Sequence, residues 1–254
     1  MGLLVQEATY ALGVFADDPP GLLTAARRLL NRQPALGALW WMASRLVASN
    51  ETRSEARDLI QLVRNDQVSR ELSHALPDDA TVVIIGWPEK VLEAVEARGD
   101  IRVLVVDVDG QAMPVVRRLD RMEVEAEAID PGRIGGAVAG ADLVILDAAA
   151  IGPSAVLGEP GMVPVAATAK AMGKPVWLAA GVGDIVPEGV WQSIVTKTVE
   201  PDLNNEPWVA RWEVLTMGMI DRIVTGSGVH PADEALRSVG SGAARFPHVP
   251  ELLR

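Results

Sequence analysis

The sequence predicts an α/β fold, and two observations along the 254 residues lead to that class. Between residues 7 and 74, apolar side chains recur at helical spacing and no strand-like run interrupts them. After residue 77, short apolar runs bounded by Gly and Pro alternate with helical stretches, which is typical of strands and helices in turn. This change predicts a helical N-terminal domain over residues 1–76 and an α/β domain over residues 77–254.

Four helices are expected in the N-terminal domain, separated by short turns that contain proline or polar residues. The fourth helix is expected to begin near Asn50, where Thr52 and Glu55 have the spacing of a capping box. Its apolar residues continue at helical spacing to Leu72, so the pattern predicts one long helix.

Six buried strands are predicted in the second part of the chain. Strands and helices in strict alternation imply a parallel sheet covered on both faces, so this part is predicted to be a Rossmann-like parallel α/β domain. Residues 182–211 are rich in Gly, Pro and Asn, and no regular structure is predicted there. The predicted strands are Thr81–Ile85, Ile101–Val106, Val124–Ala128, Leu143–Leu146, Val176–Ala180 and Ile220–Thr225.

The stretch from Asp142 to Gly181 predicts a strand, a long loop, a helix and a second strand. The loop from Ala148 to Gly158 is longer than a connection between a strand and a helix needs, and it contains Ser154. Loops at the carboxyl ends of parallel strands are where such folds bind ligands. The loop is therefore a candidate binding segment, with Ser154 and Gly158 among its candidate contacts.

Acidic side chains follow two of the predicted strands. Asp107 and Asp109 come at the end of the second strand, and Asp147 ends the fourth. Acids in these positions can bind ribose hydroxyl groups or act as a general base. They can equally cap the next helix, and capping is the preferred interpretation for Asp109. Asp147 is the strongest candidate because it directly ends an apolar strand.

The turn after the first strand carries one glycine, Gly86, followed by the bulky Trp87. A dinucleotide fingerprint needs three glycines in this turn, so the sequence argues against NAD or FAD, and no cofactor is predicted. The start of the next helix, with Lys90, could face a phosphate group. A plain turn with a solvated lysine accounts for the same residues equally well.

Composition excludes several classes of function. The chain has no cysteine, which removes disulfides, thiolate metal sites and cysteine nucleophiles. Its net charge of −11 argues against nucleic acid as a partner, and its three histidines are too far apart to form a helical ligand pair, so no metal is predicted. No membrane segment or signal peptide is recognised, and the expected location is the cytoplasm.

The segment Gly140–Ile145, the loop from Ile151 to Gly161 and residues 212–229 resemble the family of translation initiation factor 2B alpha, beta and delta subunits. The same family contains ribose-1,5-bisphosphate isomerase and methylthioribose-1-phosphate isomerase. The resemblance implies a helical domain before a Rossmann-like domain, a homodimer formed through the α/β domains, and a crevice for a phosphorylated small molecule.

The departures from that family bear on function. Its isomerases use a cysteine and an aspartate, and this chain has no cysteine and carries Ala149 at the aspartate position. An Asn-Lys pair of the family corresponds to Gly158 and Glu159, which replaces a cation by an anion. Asp147 lies two residues before Ala149, on the same strand face but about 7 Å away.

The preferred hypothesis is a non-catalytic binding or regulatory protein that binds a sugar phosphate or nucleotide at the strand ends. The first alternative is an aldose–ketose isomerase for a phosphorylated sugar, with Asp147 as base and Asp107 or Lys90 assisting. A guanine nucleotide exchange partner is a third possibility, by family analogy alone. The candidate ligand-binding residues are Gly86, Lys90, Asp107, Asp147, Ser154, Gly158 and Glu159.

Overall fold

The N-terminal part of the computed structural model, which describes residues 2–199, 206–237 and 245–253, consists of helices. Their apolar faces pack on one another, with α1 against α3 and α4, and α2 against α3. The helical prediction for this part is confirmed. The helices are α1 (Gly2–Gly13), α2 (Pro19–Arg32), α3 (Gly37–Ala48), α4 (Thr52–Arg64) and α5 (Val68–Ala75).

The single long helix predicted from Asn50 to Leu72 is wrong, because the chain breaks between α4 and α5. Asp66 causes the break: its Oδ1 accepts a hydrogen bond from Val68 N and its Oδ2 accepts one from Val182 N. Aspartate side chains compete in this way with helical hydrogen bonds. The predicted capping box is also absent, because Thr52 is already helical and makes no cap hydrogen bond.

A seven-stranded sheet forms the centre of the second part, in the order β10-β9-β7-β4-β1-β2-β3. All neighbouring pairs are parallel except β9 and β10. The six predicted strands are confirmed, and β10 adds an edge that the periodicity did not predict. The bounds are β1 (Thr81–Ile85), β2 (Arg102–Val106), β3 (Ala126–Ile129), β4 (Leu143–Asp147), β7 (Val176–Ala179), β9 (Arg222–Thr225) and β10 (Gly228–Pro231).

Helices lie between the strands, as the alternating pattern predicts. One of them, α10, falls in the segment 182–211, to which the sequence analysis assigned no regular structure. Residues 200–205 of this segment lie outside the described residues. The helices are α6 (Glu89–Arg98), α7 (Ala112–Arg121), α8 (Ile134–Gly140), α9 (Met162–Ala171), α10 (Glu188–Thr198) and α11 (Ala232–Arg237).

The segment from Ala148 to Gly158 is a β-hairpin rather than the irregular loop that was predicted. Its strands, β5 (Ala150–Ile151) and β6 (Ala155–Gly158), pair with each other, and β6 also pairs with β8 (Glu213–Thr216). The resulting small sheet has the order β5-β6-β8. The pairing was missed because β8 comes from a segment more than 50 residues away, and two-residue strands leave no periodic signal.

The apolar cores follow the layers of the fold. Helices α1–α4 share one core with the hairpin, α10 and residues near Leu252, whereas Val68 and Leu72 of α5 pack under the sheet. The domain boundary at residues 76 and 77 stays a prediction. No helix in the described residues is long and apolar enough to cross a bilayer.

Candidate functional site

The strand order of the central sheet reverses between β1 and β4, and this point defines the site. From β1, the strands β2 and β3 are added toward one edge of the sheet, whereas β4, β7 and β9 are added toward the other edge. Ligands of open α/β sheets bind in the crevice at the carboxyl ends of the strands where the order reverses. Gly86 follows β1 there, and Asp147 ends β4.

Two cavities meet at Asp147. The strand-end cavity, of about 230 Å³, is lined by residues that include Leu36, Trp87, Glu89, Asp147, Glu159 and Trp212. The helix-side cavity, of about 620 Å³, lies between helices α1 and α4 and the α/β part, and its lining includes Gln6, Asp66, Ser69, Lys90, Glu93 and Asp184. Glu89 and Asp147 line both.

Asp147 is largely buried, and its Oδ1 accepts a hydrogen bond from Ala148 N at 2.9 Å. Burial raises the pKa of its carboxyl group, nearby Asp184 raises it further, and Lys90 opposes both effects. The carboxyl group therefore takes up a proton more readily than an exposed aspartate. A side chain of this kind is a candidate for acid–base chemistry as well as for ligand binding.

Lys90 lies in the helix-side cavity, and its ammonium is not solvated as one sequence interpretation proposed. Its Nζ is 3.3 Å from Asp184 Oδ2, and its side chain is 15% exposed. Burial lowers the pKa of Lys90, but attraction to the surrounding carboxylates outweighs it and the pKa lies above its ordinary value. Lys90 is therefore a charged group held by an anionic cluster, which comprises Asp66, Asp147 and Asp184.

Gly181 makes room for this cluster. A methyl group in place of its hydrogen would overlap Lys90 Nζ and lie 2.8 Å from Asp66 Oδ2. The Gly181 N–H also donates to Asp184 Oδ2 at 2.7 Å. The glycine after β7 thus lets an ammonium and two carboxylates approach the same stretch of backbone.

Asp184 is the most buried acid of this cluster, with 1% of its surface exposed. Its Oδ2 accepts from both Gly181 N and Lys90, but its Oδ1 has no hydrogen-bond partner. Burying an acceptor without a donor is costly, so this oxygen is an unfavourable feature of the cluster.

The strand-end cavity is anionic and has two tryptophan walls. Trp87 donates from Nε1 to Glu89 Oε2 at 2.8 Å and stacks against Arg118, which pairs with the same glutamate. The indole is therefore fixed before any ligand binds. Trp212 lines the cavity together with it.

The Glu159 side chain lies against the backbone of Gly86. A methyl group added at Gly86 would overlap Glu159 Oε2. Gly86 has a φ of 59°, which suits glycine and brings the turn close to Glu159. Partial burial raises the pKa of Glu159, and repulsion from Asp147 and Asp109 raises it further. Gly158 lines the same cavity, with the Met162 side chain packed against it.

Two other predicted site residues lie elsewhere. Asp107 Oδ1 accepts from Ala112 N at 3.0 Å, so it caps α7, the role that the sequence had suggested for Asp109. Asp109 instead occupies a left-handed turn with a φ of 53°. Ser154 is exposed in the turn of the hairpin and lines neither cavity, because the hairpin directs β6 rather than its turn toward Asp147.

The sequence prediction missed Asp66 and Asp184, which complete the cluster around Lys90. Asp184 follows the carboxyl end of β7, the same signal that selected Asp147, but it fell in a segment given no structure. Asp66 was hidden inside the single predicted helix. Within the described residues, no three histidines and acids are grouped so as to hold a metal ion.

No protein-family model matches the sequence, and no curated protein sequence matches it. Several solved structures do match the fold of this chain. Translation initiation factor eIF-2B from Pyrococcus horikoshii OT3 matches with a TM-score of 0.78 at 15% identity, over 92% of each chain. The chain has the initiation factor 2B fold.

Two further structures agree with this fold. The tetrameric eIF2B-beta2-delta2 complex from C. thermophilum matches with a TM-score of 0.72 at 14% identity, over 93% of this chain and 88% of that chain. The 5-methylthioribose 1-phosphate isomerase from Pyrococcus horikoshii OT3 matches with 0.63 at 14% identity, over 93% and 82%. The resemblance noted in the sequence is thus confirmed at the level of the initiation factor 2B fold, which these initiation factor structures and this isomerase share.

Proposed function

We propose that this chain is a non-catalytic binding or regulatory protein with the initiation factor 2B fold, and that it binds a small molecule in the strand-end cavity. The observation that carries the proposal is the lining of this cavity at the point where the sheet reverses. It presents Asp147 at the end of β4, but Ala149 supplies only a methyl group at the position where the resemblance implies a catalytic aspartate.

Ala149 is also held in place by the backbone. Its N–H donates to Leu157 O and its carbonyl accepts from Gly37 N, both at 2.8 Å, so the hairpin and α3 fix it. Aldose–ketose isomerisation needs a proton donor and a proton acceptor positioned over adjacent carbons. With no cysteine in the sequence and a buried methyl group at this position, that pair is missing in the form the resemblance implies.

The negative charge of the strand-end cavity indicates which part of the ligand enters it. Glu89, Asp147 and Glu159 line it, and no lysine or arginine of the described residues does. Carboxylates accept hydrogen bonds from sugar hydroxyl groups, whereas they repel a phosphate. For the predicted ligand, a sugar phosphate or nucleotide, we therefore place the sugar or base between the two tryptophans and the phosphate outside.

The test is calorimetric titration with ribose 5-phosphate, adenosine monophosphate and adenosine. We expect binding of at least one of them, weakened about tenfold or more by Asp147→Asn, since a neutral amide replaces the charged acceptor. Asp120→Asn is the matched control, because Asp120 is exposed on α7 and lines neither cavity. Equal affinity in wild type and Asp147→Asn would contradict the proposal.

An aldose–ketose isomerase is the second candidate, and one observation favours it. Asp147 and Glu159 line one cavity and both have a raised pKa, which suits a pair of groups that exchange protons with a substrate. Isomerisation through an enediol would introduce solvent deuterium into ribose 5-phosphate in heavy water. Deuterium uptake that disappears in Asp147→Asn would establish catalysis and overturn the non-catalytic proposal.

The homodimer stays a proposal, supported by an exposed apolar surface beside β8. Strand β8 is an edge of the small sheet, and Trp208 and Val209 just before it are 81% and 64% exposed. Light scattering is expected to give a dimer mass that falls in Trp208→Ala. Met122→Ala, which removes an exposed side chain from another surface, is expected to leave it unchanged. A wild-type monomer at micromolar concentration would contradict dimerisation.

A further inference from the structure

Arg118 lies outside the strand-end cavity but contacts two residues that line it. It belongs to α7, and its guanidinium lies 5.6 Å from the centre of the Trp87 ring. Its Nη1 donates to Glu89 Oε1 at 2.9 Å. Trp87 and Glu89 line the cavity, whereas Arg118 does not. Arg118 can therefore act on a bound ligand only through these two side chains.

Trp87 needs support because of its position in the chain. It follows Gly86 in the turn between β1 and α6, and 38% of its surface is exposed. A large side chain in an exposed turn loses conformational entropy when it is held in one position, and binding is weaker if the ligand has to fix it. Its neighbours in sequence provide one contact, from Trp87 Nε1 to Glu89 Oε2 at 2.8 Å. This hydrogen bond fixes the nitrogen edge of the indole but not the orientation of its face.

The guanidinium of Arg118 provides the second contact. A planar guanidinium can stack against an aromatic face and donate hydrogen bonds in fixed directions at the same time. Arg118 does both, since it stacks on Trp87 and donates to the same glutamate that accepts from the indole. Burial acts to raise the pKa of Glu89, but the hydrogen bonds from Trp87 and Arg118 hold it below its ordinary value. Glu89 therefore stays a charged acceptor for both donors.

Glu96 holds the guanidinium in turn. Its Oε1 accepts from Arg118 Nε at 2.6 Å and its Oε2 accepts from Arg118 Nη2 at 3.0 Å. The side chains of Arg118 and Glu96 are only 20% and 14% exposed. A bidentate pair with little exposure fixes the direction of the guanidinium, unlike a single contact at the surface. The position of Trp87 is thus linked to a partly buried ion pair between α6 and α7.

We propose that Arg118 is a positioning residue for the strand-end cavity, which sets the orientation of Trp87 and Glu89 and so strengthens ligand binding without touching the ligand. This inference rests on the proposed function, because it needs a ligand in that cavity. The gain in affinity arises because the wall is ordered before binding, so the ligand does not have to order it.

The first test needs no ligand. The indole N–H signal of Trp87 is identified in the proton–nitrogen NMR spectrum by its loss in Trp87→Phe, and its heteronuclear NOE measures how rigid the ring is. We expect Arg118→Met, which removes the guanidinium but keeps an apolar stem, to shift this signal and lower its NOE. Glu96→Gln leaves every contact of Trp87 in place and is expected to act in the same direction to a smaller extent. It decides the question if Arg118→Met folds poorly.

Arg102→Met is the matched control. Arg102 also pairs with two glutamates, Glu125 and Glu127, but it begins β2 and lines neither cavity. We expect the Trp87 signal to stay as in wild type. A Trp87 signal that is unchanged in both variants described above, or that changes equally in Arg102→Met, would overturn the inference.

The second test is calorimetric titration with ribose 5-phosphate, adenosine monophosphate and adenosine. Ordering one large side chain weakens binding about fivefold, so we expect the dissociation constant of a compound that binds wild type to rise by about this factor in Arg118→Met. Arg102→Met is expected to bind as wild type does. A compound that binds wild type and Arg118→Met equally would contradict this inference and leave the proposed function intact. Failure of all three compounds to bind wild type would contradict both.

Discussion

The two cavities on either side of Asp147 share acidic lining residues. They differ in whether a lysine lies beside the carboxyl groups. In the helix-side cavity, Lys90 lies among the acids and is held by Asp184. In the strand-end cavity, the carboxyl groups of Glu89, Asp147 and Glu159 meet apolar and aromatic walls without a lining lysine or arginine among the described residues. The comparison teaches that Asp147, the acid chosen from the sequence, borders two environments that differ in whether a cation lies beside the carboxyl groups.

The largest change in stability is expected from Lys90→Met, which removes the positive charge that lies among the carboxyl groups of the helix-side cavity. Three carboxyl groups would then lie together without their cation, and removing one partner of a buried ion pair costs about 3–5 kcal/mol. We expect the free energy of unfolding in urea to fall by about 3 kcal/mol.

Lys170→Met is the matched control for this change. Lys170 pairs with Asp221, but both side chains are about a third exposed, and such pairs contribute about 1 kcal/mol or less. Equal losses in the two variants would mean that Lys90 is no more than an ordinary surface ion pair, and the contrast between the cavities would disappear.

A smaller loss is expected from Gly152→Ala, which disturbs the hairpin that forms one wall of the strand-end cavity. The added methyl group would overlap the ring of Trp191, which is 4% exposed and has little room to move. Overpacking of this kind costs about 1–3 kcal/mol. Chemical denaturation should show this loss, while Gly140→Ala, whose methyl group would meet open space, should change stability little. Tolerance of Gly152→Ala would indicate that the hairpin is not a fixed wall.

The smallest effect is a gain in stability from Asp147→Asn. Because the folded-state pKa of Asp147 is raised above 3.8, the folded protein binds its proton more tightly than the unfolded chain does. Its ionisation therefore lowers stability as pH rises from 3.8 through the folded-state pKa, and asparagine removes that penalty. We expect a gain of about 1 kcal/mol at pH 7, a size common for single stabilising substitutions.

Thermal melts between pH 4 and pH 8 measure this gain. The difference between Asp147→Asn and wild type should shrink as pH falls toward 3.8, since the protonated acid and the amide then carry the same charge. The exposed Asp120→Asn should show no such trend. A variant less stable than wild type at pH 7 would mean that attraction between Lys90 and Asp147 outweighs burial.

Much of the fold could be predicted because its signals are local. Thr81–Ile85 was predicted with the observed bounds, since a short continuous apolar run between polar turns is typical of a strand buried in a parallel sheet. The hairpin could not be predicted, because β6 pairs with β8 from a segment far along the chain. The break before α5 also depends on a remote contact, between Asp66 and the Val182 N–H.

The candidate site was predicted in part, for the same reason. Asp147 lines the strand-end cavity because it ends a parallel strand of the central sheet. Gly158 and Glu159 line the same cavity from the end of β6, an antiparallel strand of the small sheet. Lys90 lies nearby but in the other cavity, and Asp107 is engaged in capping α7. No spacing rule separates a capping acid from a ligand-binding acid, because both follow a strand and precede a helix.

By itself, the sequence determined the helical first part, six strands of the central sheet and the place of Asp147 at the end of β4, because apolar periodicity depends on neighbouring residues. Only the tertiary structure decided that Asp66, Lys90 and Asp184 form one buried cluster, since these residues come from segments up to 118 positions apart in the chain. Burial and counter-charge set the chemistry of an acid, and both depend on contacts between remote segments rather than on the residues beside it.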